Sequence, residues 1–180
     1  MVYVFLADGF EVTEALAPVD ILRRAGVEVM TVGVTGKTVV SSHKIPVIAD
    51  ITKDEIVLDN ELEMAVLPGG MPGADNLEAD ETVQKAIDFC AENDRYVAAI
   101  CAAPKILGHK GLLSGRKATC FPGFEQDLSG AEITGELAVI DGKFITGKGA
   151  GAALDFGFAL VAALFGEDKA AKVASNMQCR

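Results

Sequence analysis

"YVAAICAAPKILG", residues 96–108, decides how this chain is read. Largely apolar, β-prone residues run up to Ile100, one cysteine follows, and small helix-prone residues begin at once. A buried strand that turns directly into a helix leaves Cys101 on the corner between them. Such a corner makes a side chain project above the sheet, as in a nucleophile elbow. N–H groups at the start of the following helix favour thiolate over thiol. The N–H of Ala102, the next residue, can also hold a developing oxyanion. The competing reading is a small core filler, because free cysteine is among the most buried residue types.

Working outward, strand-like and helix-like segments alternate. "VYVFLA" (2–7) leads through "DGFEVTE" into "ALAPVDILRRAG", a helical pattern closed by Gly26. "VEVMTVGV" (27–34) and "EMAVLPGG" (63–70) are further apolar strands, with two short extended pieces around "TVVSS" and "IPVIAD" between them. "DETVQKAIDFCAEN" (80–93) has helical apolar spacing, with Asp80 placed to cap it. A strand is expected near "KATCF", then a hairpin "LAVIDGKFIT" turning at Asp141-Gly142, and two helices close the sequence. Continuous apolar strands separated by helices indicate an α/β fold with a mostly parallel sheet covered on both faces. No repeat or linker interrupts residues 1–180, so one domain is expected. In such sheets ligands collect at the carboxyl ends of the strands. Asp8-Gly9, Gly69-Gly70 and Cys101 all belong on that edge.

Composition narrows the partners. With 16 basic and 26 acidic residues the formal charge is −10, which repels phosphate backbones and argues against nucleic acid. Half the residues are hydrophobic and the mean hydropathy is +0.31, as in a packed globular chain. The opening "MVYVFLADG" is too short for a secretory signal and reads as a strand. No run approaches a membrane span, so no membrane partner is expected. Cysteines 90, 101, 120 and 179 show no paired or metal-ligand spacing. They read as free thiols in a reducing, cytoplasmic setting and argue against a metal site.

Other motifs carry less. "GVTGKT" (33–38) has Thr31 where a phosphate loop needs glycine, and strand-like residues follow it. The glycines of "LPGGMPGADNL" (67–77) permit close backbone approach and inward N–H groups, but a plain turn would explain them too. Cys90 reads as core and Cys120 as a weak second candidate. A cysteine hydrolase normally has a histidine against the sulfur. His109 falls too far along the helix after Cys101, and His43 sits in an extended segment. A carboxylate is the remaining candidate: "DGFEVTEALAPVD" offers Glu11, Glu14 and Asp20. Pro18 removes the N–H that would bond the Glu14 carbonyl, so the helix starts irregularly there. A protonated Glu14 beside the sulfur would donate to a thiolate and shuttle protons.

Taken in order, "DGFEVTEALAPVDILRRAG", "LPGGMPGADNL", "AAICAAPKIL" and "GKGAGAALDFGFALV" resemble the ThiJ/PfpI superfamily, in its Parkinson-associated deglycase branch. The resemblance covers essentially the whole chain. It implies a flavodoxin-like three-layer sandwich with a nucleophile elbow, usually a homodimer. It places the nucleophile on Cys101, its carboxylic acid partner on Glu14, and oxyanion or substrate-binding backbone groups on Gly70, Ala102 and Gly69. It further implies cofactor-free glyoxalase or deglycase chemistry on a small aldehyde. Oxidative-stress sensing by the same cysteine, or chaperone activity, is the alternative that the resemblance also implies. Two departures stand out: Ala102 occupies the place of the protease-like branch's histidine, counting against an amidase or peptidase, and Phe121 stands where animal members often have a histidine.

Overall fold

The computed structural model describes residues 1–179; Arg180, the last residue of the expected 1–180 domain, lies outside them. Seven strands form the main sheet: β1 (Val2–Leu6), β2 (Val29–Gly33), β5 (Ile51–Thr52), β6 (Met64–Leu67), β7 (Tyr96–Ile100), β10 (Ala138–Asp141) and β11 (Phe144–Gly147). Their spatial order is β10-β11-β7-β6-β1-β2-β5, and only the β10–β11 pair is antiparallel. Two short ribbons lie apart from it, β3 (Thr38–Val40) with β4 (Pro46–Ile48), and β8 (Lys117–Ala118) with β9 (Glu132–Ile133). The helices are α1 (Val12–Ala25), α2 (Gly73–Ala79), α3 (Glu81–Glu92), α4 (Pro104–His109), α5 (Ala153–Phe165) and α6 (Glu167–Asn176).

The alternation of side chains along each strand builds the three layers. Val2, Val4 and Leu6 of β1 join Val66 and Ile100 on one face, beneath α1, α5 and α6. Tyr3 and Phe5 join Leu67, Val97 and Ala99 on the other, beneath α2, α3 and α4. Both faces are covered, so the strands are apolar throughout, as the sequence suggested.

Local signals account for several boundaries. Gly26 closes α1 with φ 89°, its N–H donating to the carbonyls of Arg23 and Leu22. The Asp80 carboxylate accepts the N–H groups of Thr82 and Val83 at the start of α3. The β10–β11 hairpin forms where expected, but Asp141 pairs with Phe144, so its two-residue loop is Gly142-Lys143 rather than Asp141-Gly142. Gly142 takes the positive φ, 60°, that such tight hairpins require. No helix among the described residues is long and apolar enough to cross a membrane.

Chain direction fixes where a ligand can sit. From β1 the chain moves outward through β2 to β5, then returns to the other side of β1 with β6. The crevice at the carboxyl ends of β1 and β6 is therefore the topological switch point.

Phe156 of α5 is fully buried beneath β7 and β11, close to where a side chain on Gly147 would stand. Phe156→Ala should cost about 3–5 kcal/mol in denaturant unfolding. Phe165→Ala, at a half-exposed position, should stay within about 0.5 kcal/mol. Equal effects of the two would contradict this placement of the core.

Candidate active site

Three turns meet at the switch point. After β1, Gly9 adopts φ 88° and the chain enters α1 through Glu11, whose Oε2 accepts the Glu14 N–H at 2.8 Å. Glu14 lies in the first helical turn and is fully buried, its carboxyl directed at the sheet edge. After β6, the Gly69 N–H donates to Glu14 Oε2 at 2.9 Å, and the Gly69 carbonyl accepts the Glu11 N–H at 2.9 Å. A Cβ on Gly69 would stand 2.6 Å from Glu14 Oε2 and 2.7 Å from the Cys101 Cβ, so only glycine fits between acid and cysteine.

After β7, Cys101 takes φ 67°, the left-handed region that non-glycine residues enter at a cost. Its N–H donates to the Gly147 carbonyl of β11 and its carbonyl accepts the Phe121 N–H, both at 2.9 Å. These two bonds hold the strained corner from both sides. The sulfur is half-buried, while Cys90 and Cys120 are buried. Backbone N–H groups of Ala102 and Gly70 point to the sulfur, and the Glu14 carboxyl lies beside it.

Electrostatics differ from the sequence reading in one respect. The cysteine was expected to be acidified by a helix directly after it. Instead α4 begins only at Pro104 and has six residues, with Cys101–Ala103 forming a turn. Burial first, then the Glu14 charge and hydrogen bond, push the Cys101 thiol up to about 12, against the pull of the Ala102 and Gly70 N–H groups. Burial also raises Glu14 from 4.5 to about 7, with the Glu11 charge adding to the rise and the Cys101 and Gly69 contacts opposing it.

The two groups therefore lose their protons in two separated steps, near 7 and near 12. Between these values the pair holds one proton and one negative charge. The Ala102 and Gly70 N–H groups face the sulfur, while the Gly69 N–H bonds the carboxyl. Glu14 Oε1, buried and without a regular hydrogen bond, is the free oxygen that can take the thiol proton when the sulfur reacts. The lower value belongs to Glu14, so between the two the charge rests on the carboxyl and the proton on sulfur.

The structure brings Cys101, Glu14, Gly69, Gly70 and Ala102 together. Gly69 has a different task from the expected oxyanion contact, because Glu14 already occupies its N–H. His109 turns away to Glu78 and Asp127, and His43 lies exposed in the turn between β3 and β4 rather than in an extended segment. Asp20 pairs with Arg24 on the exposed face of α1. Phe121 lies beside the elbow, half-exposed, and carries no ionisable group. Gly147 was not singled out by sequence; a strand residue that holds the elbow through its carbonyl leaves no local signal.

This arrangement puts the chain among flavodoxin-like α/β proteins that carry a cysteine at a strand-to-helix elbow. Within that class the chain belongs to the DJ-1/PfpI family, whose sequence profile matches residues 1–163. Protein DJ-1 homolog B of Arabidopsis thaliana is 36% identical over 178 residues; they make up 97% of this chain but only 40% of that longer relative. A Pyrococcus horikoshii protein named as a deglycase is 31% identical over 144 residues, 79% of this chain and 86% of its own length. The solved structure of Toxoplasma gondii DJ-1, described as oxidized, superposes with a TM-score of 0.93 at 29% identity, covering 99% of this chain and 97% of that one.

The raised Glu14 value has a sign that stability measurements can read. Its protonated form is favoured by folding, so its contribution is fully present below about 4.5 and is lost as pH rises through about 7. Ionising this buried group costs the fold about 3 kcal/mol above that range. Glu14→Gln should therefore be more stable than wild type at pH about 8 and gain little at pH about 4 in parallel thermal melts. A pH-independent difference would contradict the shift.

Proposed function

We propose that the protein is a cofactor-independent enzyme that converts 2-oxoaldehydes, such as methylglyoxal or its adducts, to 2-hydroxy acids through Cys101. The observation that carries this reading is the Cys101–Glu14 pair with a proton shared between them. The family and the deglycase-named relative support the class of chemistry.

Glu14 takes the thiol proton as the sulfur adds to the aldehyde carbon, forming a C–S bond. The oxygen charge is held by the Gly70 and Ala102 N–H groups until Glu14 returns that proton to it. The product is a hemithioacetal, and Glu14 is now a carboxylate. It removes the proton from the former aldehyde carbon and returns it to the neighbouring ketone carbon. This internal transfer oxidises one carbon and reduces the other, giving a thioester of the 2-hydroxy acid with no external redox partner. Water then cleaves the C–S bond, releasing the acid and restoring the thiol. A group with a value near 7 serves both donation and abstraction near neutral pH.

We further propose that the chain acts as a homodimer in the cytoplasm. Val40, Ile45 and Ile48 leave apolar surface on and beside the β3–β4 ribbon, which suits a contact with a second copy.

Cys101→Ser should abolish lactate formation from methylglyoxal, measured by chiral product analysis. Wild-type turnover in this variant would exclude the scheme. A second reading, oxidative-stress sensing, is favoured by the greater exposure of Cys101 than of the buried Cys90 and Cys120, and by the oxidized state described for the Toxoplasma gondii relative. Here peroxide oxidises the thiolate to sulfenic and then sulfinic acid, each step transferring one oxygen to sulfur and releasing water. Peptide mass mapping after mild peroxide treatment should find a two-oxygen adduct at Cys101 before Cys90 or Cys120. Uniform oxidation, or none, would exclude the sensor.

A further inference from the structure

On the α2–α4 side of the sheet, a charged cluster that the chemistry above does not use joins the two segments that carry the N–H donors. Lys105, on α4, is a buried cation whose Nζ pairs with Asp75 and, at 3.5 Å, with Glu78 Oε2, both on α2. Glu78 Oε1 lies 2.5 Å from His109 Nδ1, and His109 Nε2 lies 3.5 Å from Asp127 Oδ1. Burial alone would lower the Lys105 ammonium, but the two carboxylates outweigh it and hold it charged.

The cluster sits close along the chain to both donors. Gly70 leads into α2, and its carbonyl accepts the Ala74 N–H at 2.8 Å, one residue before Asp75. Ala102 leads into α4, and its carbonyl accepts the N–H of Lys105 itself at 3.4 Å. Gly70 and Ala102 come from different strands, and no hydrogen bond between the two residues is found among the described residues. Helices of seven and six residues are too short to hold a fixed position by their own stability. Leu77, Ile106 and Leu107 share one core, but apolar packing is non-directional. An ion pair between the helices supplies the direction, and charge-holding donors need placement within about 0.5 Å.

We propose that Lys105 is a positioning residue: by bridging α4 to Asp75 and Glu78 of α2, it sets the spacing of the Ala102 and Gly70 N–H groups across the Cys101 sulfur. The proposal rests on the reading of those two groups as the donors that stabilise charge at this site, and its test needs no substrate.

The probe is iodoacetamide, with alkylation of each cysteine followed by peptide mass mapping across pH. Lys105→Met keeps the aliphatic stem and removes the charge; Lys105→Arg keeps the charge. In Lys105→Met, alkylation of Cys101 at pH about 8 should fall about tenfold and its inflection should move up by about one unit. Cys179, remote from the cluster, should react at the wild-type rate. Lys105→Arg should restore Cys101 to within about threefold of wild type. Should Lys105→Met not fold, Asp75→Asn and Glu78→Gln, each leaving Lys105 one carboxylate, are expected to produce smaller shifts in the same direction. A wild-type Cys101 profile in the folded variants, or no restoration by arginine, overturns the proposal. Absence of methylglyoxal turnover in the wild type would overturn the enzyme reading and leave this result standing.

Discussion

A carboxyl group and a thiol, both taken out of water and separated only by the backbone of Gly69, cannot both ionise near neutral pH. This constraint organises the rest of the site. It raises Glu14 to about 7 and Cys101 to about 12, and it makes the single charge between those values a property of the pair. Glu11 caps the helix at the Glu14 N–H and strengthens the effect by placing a second negative charge nearby. Gly69 is the spacer that allows the approach, and the Gly70 and Ala102 N–H groups offset part of the rise at sulfur.

The fold serves this pair by delivering three turns to one crevice. The acid arrives after β1, the spacer and one donor after β6, and the cysteine with the second donor after β7. These are adjacent strands of one parallel sheet, so the turns are neighbours by construction. The strain at Cys101 is tolerated because Gly147 and Phe121 bond its backbone on both sides. The same corner that lifts the sulfur out of the strand thus depends on β11, added to the sheet almost fifty residues later.

Much of this was legible in the sequence because it is local. Strand hydrophobicity, the Asp80 cap, the glycine that ends α1 and the elbow at Cys101 all follow from neighbouring residues. What was not legible depends on distant contacts. Nothing near Glu14 reveals that the N–H 55 positions away at Gly69 will bind it and so withdraw it from the oxyanion role. The helix after Cys101 appeared continuous because Ala102 and Ala103 are good helix formers, yet they form a turn and Pro104 sets the start of α4. The expected acidification of the cysteine failed for the same reason: burial and a neighbouring carboxylate outweigh the N–H donors. Lys105 drew no notice because its partners lie about thirty residues upstream, on a helix that only folding brings alongside.

The central claim is that one proton is shared between Glu14 and Cys101 and that near neutral pH the charge it leaves resides on Glu14, with the proton on sulfur. The most direct measurement is the ultraviolet absorbance of thiolate, titrated across pH as the difference between wild type and Cys101→Ala. A difference spectrum that stays flat through neutral pH and rises only in the strongly alkaline range is the predicted result. A step centred near pH 7, absent from a parallel titration of Glu14→Ala, would place the charge on sulfur and contradict the account.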